Sequence, residues 1–213
     1  MRFASHLVNA AESALVWLLC RVDDAQMSKV PAAGPLILVT NHVSFLEIPV
    51  LHSRLRPRPV VGLAKVESWE NPLLRWLFDL WGAIPVKRGE PDLAALRGCL
   101  DVLRDGGILV VAPEGTRSRH GCLQRGHPGV VALALRSGAP ILPLAFYGGE
   151  ALKRNAKRLR RTPFHIMVGE PFHLSVEGRV TQAGRQDLTD KIMYKLAALL
   201  PPAYRGQYAA DDC

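Results

Sequence analysis

Short apolar stretches rich in β-branched residues alternate with helical patterns along most of the chain, and this alternation limits the fold more than any other feature. Between the stretches, the clearest helical pattern covers residues 92–104, where leucines share one face and two glycines follow as a stop. A second pattern covers residues 188–200. Strict alternation predicts an α/β fold with a largely parallel central sheet flanked by helices. The predicted strands are residues 36–40, 60–64, 83–86, 108–111, 141–145 and 165–168.

The beginning of the chain has a different pattern. Apolar residues recur at helical spacing from Phe3 to Val22, which predicts an amphipathic helix that either packs on the core or lies in a membrane interface. The apolar run at residues 14–20 is far shorter than the roughly 20 residues that span a bilayer, and no secretory cleavage site follows it. We therefore predict an N-terminal amphipathic helical segment over residues 1–30 and an α/β domain over residues 31–213.

Composition and charge exclude several classes of protein. With 48% hydrophobic and 22% charged residues, the chain is expected to fold as an ordinary globular protein. The four cysteines are widely spaced and form no C-x-x-C pair, so neither a zinc site nor a disulfide framework is predicted, and a reducing compartment is expected.

The net charge of +8 predicts an anionic partner, such as a lipid headgroup, a phosphorylated substrate, an acidic carrier protein or nucleic acid. Nucleic acid is disfavoured, because the chain has no zinc-finger or RNP-type motif and its basic run lacks interleaved aromatic residues. Nucleotide-binding glycine motifs are absent as well. No pair of histidines has a persuasive metal-ligand spacing.

A histidine follows the first predicted strand of the α/β domain, in the sequence Asn-His-Val-Ser-Phe-Leu-Glu at residues 41–47. The carboxyl ends of parallel strands face the ligand crevice, so we expect His42 in a turn there and Glu47 at the start of the next helix. A carboxylate on one ring N–H would leave the other nitrogen free to accept a proton. Because no G-x-S-x-G motif is present and Ser44 lies too close to His42, we expect the base to activate a substrate hydroxyl. Taken alone, this spacing is also typical of a helix cap.

The segment Pro-Glu-Gly-Thr-Arg-Ser follows the strand at 108–111 and can bind an anion. Gly115 allows close backbone approach, Thr116 offers a hydroxyl, and Arg117 offers a planar fork suited to phosphate. Backbone N–H groups near Gly115 are candidates for stabilising an oxyanion. The alternative is a polar turn that a pair between Glu114 and Arg117 closes.

Two other cations follow predicted strands. Lys65 comes after the strand at 60–64, and Arg88 comes after the strand at 83–86. Because parallel strands end at one edge of a sheet, these residues and Arg117 together predict an anion pocket.

Four segments between residues 36 and 145, taken in order and spacing, resemble the four motifs of the 1-acyl-glycerol-3-phosphate acyltransferase family. They are N-H-V-S-F-L-E, G-A-I-P-V-K-R, P-E-G-T-R-S and I-L-P-L-A. The resemblance implies transfer of a fatty acyl group from acyl carrier protein or acyl-CoA to the hydroxyl of a lysophospholipid such as 1-acyl-glycerol-3-phosphate. No cofactor and no metal is expected beyond the thioester substrate.

The resemblance also implies roles for single residues. His42 would be the general base, Glu47 its orienting carboxylate, and Arg88 a ligand of the acceptor phosphate. The family usually has Asp where this chain has Glu47, and the extra methylene moves the carboxylate by about 1.5 Å. The acceptor pocket would be shaped by Glu114, Gly115, Thr116 and Arg117.

Two further segments bear on membrane contact. A basic run at residues 153–161, in which residues 153, 157 and 161 would share a helical face, is either solvated or attracted to anionic lipid. The apolar segment around Trp76 is a buried helix, a wall of an acyl-chain channel or a membrane-facing patch. We expect a peripheral enzyme on an anionic membrane surface at the cytoplasmic face. The alternatives are an acyltransferase for another lipid acceptor and a non-catalytic membrane-binding protein on the same scaffold.

Overall fold

The computed structural model describes residues 2–89, 92–118, 120–176, 178 and 180–209, and within 2–8 it describes the backbone alone. Its strands form a seven-stranded sheet in the order β1-β7-β6-β2-β5-β3-β4. All pairs of neighbouring strands are parallel except the pair of β6 and β7, which confirms the predicted α/β fold with a largely parallel sheet. The strands are β1 (Cys20–Asp23), β2 (Leu36–Thr40), β3 (Val60–Lys65), β4 (Ile84–Val86), β5 (Ile108–Val111), β6 (Ile141–Tyr147) and β7 (Thr162–Val168).

Helices cover both faces of this sheet because successive side chains of each central strand point to opposite faces. Leu36 and Leu38 of β2 pack in one apolar cluster with α1 and α2, whereas Ile37 and Val39 pack in another with α4, α5 and α7. The helices are α1 (Arg2–Leu19), α2 (Glu47–Leu55), α3 (Pro72–Trp81), α4 (Leu93–Arg104), α5 (Gly129–Ser137), α6 (Leu152–Lys157) and α7 (Gln182–Ala198). None of the described helices is long and apolar enough to cross a bilayer.

Helix boundaries follow local capping chemistry. Asp92 caps α4 by accepting from the N–H of Ala95 at 2.9 Å, and its pKa is held below the usual value chiefly by backbone N–H donors. Asn71 caps α3, and Gly82 ends that helix in the left-handed region with φ +64°. Helix α4 therefore begins and ends close to the positions that the sequence predicted.

The helix predicted to extend to Val22 ends at Leu19, because Cys20–Asp23 forms the edge strand β1 beside β7. Part of the predicted helical segment 1–30 is thus a strand of the sheet. Among the described side chains of the predicted apolar face, Leu15 and Leu18 are exposed, whereas Leu19 and Val22 pack partly against the core. Core packing therefore holds for only part of that face.

The buried face of α1 carries a carboxylate. Glu12 is 6% exposed and pairs with Arg56, which follows α2, at 3.0 Å. Burial raises the pKa of Glu12, and the nearby arginine opposes this effect. This pair joins α1 to the helix that begins with Glu47.

The structure corrects two interpretations from the sequence, one by the exposure of side chains and one by the end of helix α6. Leu73 and Trp76 of α3 are 70% and 53% exposed, so α3 is not the buried helix that its composition suggested. Helix α6 ends at Lys157, and Leu159 has a positive φ of +51°, so Arg161 cannot share a helical face with residues 153 and 157. Arg161 instead donates to the carbonyl of Cys20.

His52 of α2 gives a test of this packing. Its Nε2 lies 2.9 Å from the carbonyl oxygen of Val60, and its ring meets Trp81 edge-on. Burial lowers the pKa of His52 to about 4, and Arg56 contributes in the same direction. Its pKa in the unfolded chain is about 6.5, so the unfolded chain binds more protons between these two pH values.

We predict that this histidine reduces the free energy of unfolding by up to about 1.4 kcal/mol per pH unit as the pH falls from about 6.5 to 4. His52→Gln keeps an N–H donor toward Val60 but cannot titrate, so its stability should depend less on pH in this range. Urea denaturation at several pH values measures both slopes. Equal slopes for the two proteins would contradict the assignment.

Candidate active site

The carboxyl edge of the central strands is held together at its middle by Asn41. This residue follows β2 directly, and its side-chain amide donates to the carbonyl of Phe146 at 2.7 Å and accepts from the Phe146 N–H at 2.8 Å. The two bonds fix the end of β2 against β6, where the chain leaves the sheet. His42 therefore begins its turn from a rigid position.

His42 and Glu47 converge as the sequence predicted. Nδ1 of His42 is hydrogen-bonded to one carboxylate oxygen of Glu47, and Glu47 is the first residue of α2. The Glu47 side chain is 3% exposed and that of His42 is 30% exposed. Because an ionised carboxylate only accepts, Nδ1 carries the proton and Nε2 is left as a proton acceptor.

The second oxygen of Glu47 closes the turn. It accepts from the N–H groups of Val43 at 2.8 Å and Ser44 at 2.5 Å. The hydroxyl oxygen of Ser44 accepts from the N–H of Leu46 at 3.1 Å, so Ser44 is part of the turn. The longer side chain of Glu47 thus serves both the imidazole and the turn that carries it.

Glu114 lies behind this turn. It is 3% exposed, and its two carboxylate oxygens accept from the N–H of His42 at 3.1 Å and the N–H of Gln124 at 2.9 Å. Burial raises the pKa of Glu114 to about 7, although both N–H donors oppose the shift. Ser118 adds a bond from its N–H to the His42 carbonyl at 2.7 Å.

The turn that follows β5 differs from the anion cradle predicted from its sequence. In the described part of the chain Glu114 and Arg117 form no ion pair, so the alternative of a turn closed by that pair is wrong. Gly115 has φ +66°, which a Cβ atom would strain, and its N–H donates to the Ala112 carbonyl at 3.0 Å. That N–H is therefore already occupied. Thr116 and Arg117 are exposed.

A cavity of about 330 Å³ opens beside His42. Its polar lining includes His42, Glu47, Arg88 and His127, and Gly115 also lines it. Aliphatic side chains from α2, α4, α5 and the neighbouring strands form the remaining wall: Ile48, Leu63, Val86, Ala95, Leu96, Val110, Val130 and Leu133. A cavity with apolar walls and a few polar groups at one part is the usual form of a ligand site.

The cavity brings together some of the predicted site residues and leaves out others. Arg88 lines it together with His42. Lys65, at the end of β3, is exposed and is not part of the lining, and the same holds for Thr116 and Arg117. Glu114 also lies outside the lining, and its carboxylate accepts from the backbone N–H of His42.

His127 and Cys99 are two of the lining residues that the sequence analysis did not predict as site residues. His127 precedes α5, and its ring would be 3.4 Å from a Cβ atom built on Gly115. Cys99 of α4 also lines the cavity, and burial raises the pKa of its thiol to about 12, so it is a neutral part of the wall. Cys99 could have been found by extending the apolar face of α4, whereas His127 lies in a loop with no pattern.

Comparison with known proteins agrees with this geometry. The family model described as acyltransferase matches residues 21–147, which contain His42, Glu47, Arg88 and the turn after β5. The chain belongs to the acyltransferase family. A solved structure of the 1-acyl-sn-glycerophosphate acyltransferase PlsC from Thermotoga maritima has the same fold, with a TM-score of 0.67 and 20% identity over 93% of this chain and 79% of that chain.

Curated relatives in the acyltransferase family include two with different named acceptors. The chloroplastic 1-acyl-sn-glycerol-3-phosphate acyltransferase BAT2 of Brassica napus is 26% identical over 196 residues, which are 90% of this chain and 56% of that protein. The lyso-ornithine lipid O-acyltransferase of Pseudomonas aeruginosa is 30% identical over 175 residues, 79% of this chain and 64% of that protein. The chain thus spans between about half and two thirds of the length of these relatives.

Proposed function

We propose that this protein transfers a fatty acyl group from a thioester to the hydroxyl of a lysophospholipid, with His42 as the general base. The observation that carries the proposal is the pairing of His42 with Glu47 at the mouth of a cavity that Arg88 also lines. Membership of the acyltransferase family supports the reaction class, and the named relatives support a lysolipid acceptor.

In this mechanism the acceptor hydroxyl gives its proton to Nε2 of His42 while its oxygen attacks the thioester carbonyl carbon. Glu47 stabilises the imidazolium that forms, because its carboxylate already holds Nδ1–H. The tetrahedral intermediate then collapses, the C–S bond breaks, and the leaving thiolate takes the proton from His42. The products are the acylated lipid and a free thiol on coenzyme A or acyl carrier protein.

The apolar wall of the cavity suits the acyl chain. Aliphatic side chains from three helices surround a volume of about 330 Å³, and burying methylene groups there is favourable at about 0.8 kcal/mol each. Arg88 suits the other end of the reaction, since a guanidinium binds phosphate through paired hydrogen bonds. Its place in the same lining as His42 supports an acceptor that bears phosphate near the reacting hydroxyl.

A second acceptor class is favoured by one relative. The 30%-identical lyso-ornithine lipid O-acyltransferase is named for a different acceptor. Purified protein offered lysophosphatidate, other lysophospholipids and lyso-ornithine lipid, each with acyl-CoA and acyl carrier protein donors, separates the two classes. A protein that binds these lipids and transfers no acyl group would instead be the non-catalytic alternative.

We predict that His42→Ala lowers kcat by roughly 100- to 10,000-fold without unfolding the protein, because the loss removes the base and not a core side chain. Glu47→Gln should lower kcat by roughly 100-fold or more, because an amide cannot hold the imidazolium in the same way. Acyl transfer assays and circular dichroism measure both effects. His173→Ala is the matched control, since that histidine is exposed and its hydrogen-bond partner among the described residues is the carbonyl of Gly138. Full activity in His42→Ala would exclude the mechanism.

We predict that Arg88→Ala raises the acceptor KM by roughly 10- to 100-fold, since a hydrogen bond to a charged group contributes about 1.5–3 kcal/mol. The KM for the acyl donor should change little. Arg104→Ala at the far end of α4 is the control, because Arg104 is exposed and its partner within the described part of the chain is Asp101. An effect of Arg88→Ala on the donor KM alone would assign this arginine to the donor.

Exposed apolar side chains support a membrane as the place of reaction. Because β7 runs antiparallel to β6, the beginning of β7 and the paired beginning of β1 lie at the edge that carries His42. Trp17 and Leu18, 67% and 62% exposed, precede β1 there. Other exposed apolar residues lie in the connections that follow strands ending at this edge, or in the first turns of the helices after those strands. They are Phe45, Val66, Leu73, Leu74, Trp76 and Leu93.

The basic run lies at the same edge. Leu159 is 98% exposed between Arg158 and Arg160, directly before β7, and Arg161 stacks over the ring of Trp17 at 5.0 Å. Cations beside an exposed leucine and tryptophan are complementary to an anionic lipid surface, where each basic residue contributes roughly 1 kcal/mol. A protein docked in this way would present His42 to the lipid that carries its acceptor.

We predict that exchanging Arg158 and Arg160 for Gln weakens binding to anionic liposomes by roughly 30-fold, corresponding to about 2 kcal/mol, and that salt weakens binding of the unchanged protein. The control exchanges Arg136 and Arg185 for Gln. It removes the same charge from exposed positions near the opposite edge of the sheet, so it should have a smaller effect. Liposome co-sedimentation measures binding, and equal losses in the two variants would show that only net charge matters.

A further inference from the structure

The segment 201–209, which follows α7, packs against the loop that follows the Glu114 turn. The Leu123 N–H donates to the carbonyl of Tyr204 at 2.9 Å, and the Gln207 N–H donates to the carbonyl of Leu123 at 3.4 Å. Leu123 is 2% exposed between them. The contact is so close that a Cβ atom on Gly206 would lie 2.1 Å from the Leu123 carbonyl oxygen.

Tyr208 makes the second attachment. Its hydroxyl accepts from the Gly126 N–H at 3.0 Å and donates to a carboxylate oxygen of Asp190 in α7 at 2.9 Å. Gln186 of α7 binds the same Asp190 oxygen at 3.0 Å and the Gly126 carbonyl at 3.2 Å. Both backbone groups of Gly126 are therefore held by this network.

Between these two attachments lies Gln124, whose N–H donates to Glu114. The other Glu114 oxygen accepts from the N–H of His42, so a chain of hydrogen bonds and one buried carboxylate joins the segment 201–209 to the backbone of the general base. Leu123 and Gln124 are adjacent in the chain and Gly126 follows two residues later, so the backbone itself joins these hydrogen bonds. Glu114, Leu123 and Tyr208 are buried. The exposed Arg117 takes no part in it.

We propose that the segment 201–209 is a positioning element of the active site, which holds His42 in its catalytic orientation through Leu123, Gly126 and Glu114. Glu114 is then a positioning residue rather than a ligand of the acceptor. This inference rests on the proposed function of His42 but adds a part of the chain that lies outside the matched family region 21–147.

The geometry explains why such support is needed. The Glu47 carboxylate binds the His42 ring and the backbone N–H groups of Val43 and Ser44, but it does not bind the backbone N–H of His42. The N–H of His42 itself is held only by Glu114 among the described residues. A shift of about 1 Å in a reacting group is enough to lower catalysis substantially. Fixing Glu114 through Gln124 prevents that shift.

The test compares two changes of tyrosine to phenylalanine. Tyr208→Phe removes only the hydroxyl that binds Gly126 and Asp190, whereas Tyr194→Phe changes an exposed tyrosine of α7 whose ring contacts Tyr208 edge-on. We expect Tyr208→Phe to lower kcat about fivefold with an acceptor KM within twofold of the unchanged protein, and Tyr194→Phe to change neither. If Tyr208→Phe does not fold, Asp190→Ala removes the acceptor of the same bond and replaces it in the test.

A double-mutant cycle with Glu114→Gln separates positioning from general destabilisation. If both residues act through His42, the loss of kcat in the double variant should be clearly smaller than the product of the two single losses. Multiplicative losses, or a change in KM alone, would overturn the proposal.

Amide hydrogen exchange provides a readout that needs no turnover. Tyr208→Phe should accelerate exchange of the amides of Gly126, Gln124 and His42 about tenfold, and Tyr194→Phe should not. Acceleration at Gly126 without any at His42 would refute the proposed coupling even in an active enzyme. If the unchanged protein transfers no acyl group, the proposed function fails, but this exchange result still decides whether the segment holds His42.

Discussion

The arrangement of the site depends on one buried carboxylate. Glu47 receives three donors, namely the His42 ring and the N–H groups of Val43 and Ser44. Burying a carboxylate is costly unless its oxygens are hydrogen-bonded, and these three donors meet that requirement. The same contacts begin helix α2 and orient the imidazole. The start of the helix and the tautomer of His42 are therefore set by a single group.

The parallel sheet makes this arrangement possible. Strand β2 lies between β5 and β6, so the turn after it is flanked by the turn after β5 and by the end of β6. Glu114 binds His42 from the turn after β5, and Asn41 binds Phe146 near the end of β6. Neighbouring parallel strands thus supply groups that are far apart in the sequence. The antiparallel β7 brings the basic run to the same edge.

Most of the fold could be predicted because the sequence pattern of each element agreed with its place in the sheet. Strands β2 and β5 matched their predicted bounds, since both are buried throughout, consist almost wholly of apolar residues and lie between turn residues. Strand β1 was missed because it follows α1 directly, with no turn residue between Leu19 and Cys20. Four residues at a sheet edge give too short a pattern to compete with the helical spacing before them.

The pairing of His42 with Glu47 could be predicted because it depends on local geometry at one strand end. The role of Glu114 could not, since its partners His42 and Gln124 are brought to it by tertiary contacts and not by a sequence spacing. The resemblance to the acyltransferase family implied that Glu114 helps to shape the acceptor pocket. In the structure Glu114 is buried and accepts from the backbone N–H groups of His42 and Gln124, and the proposed positioning role rests on these contacts.

Apolar periodicity predicted the helices α1 and α3 but not which of their apolar side chains are buried, and one physical reason accounts for both. Hydrophobic spacing reports that a face avoids water, but it does not report whether protein or lipid covers that face. Helix α1 buries Glu12 against Arg56 while Leu15 and Leu18 point outward, and α3 leaves Trp76 exposed. In α1, Val16 is buried and Leu19 packs partly on the core, so the outward apolar area comes from Leu15, Trp17 and Leu18. Under the proposed acyl transfer, this outward area would meet the apolar phase in which a lipid substrate resides, and its exposure would then have a function.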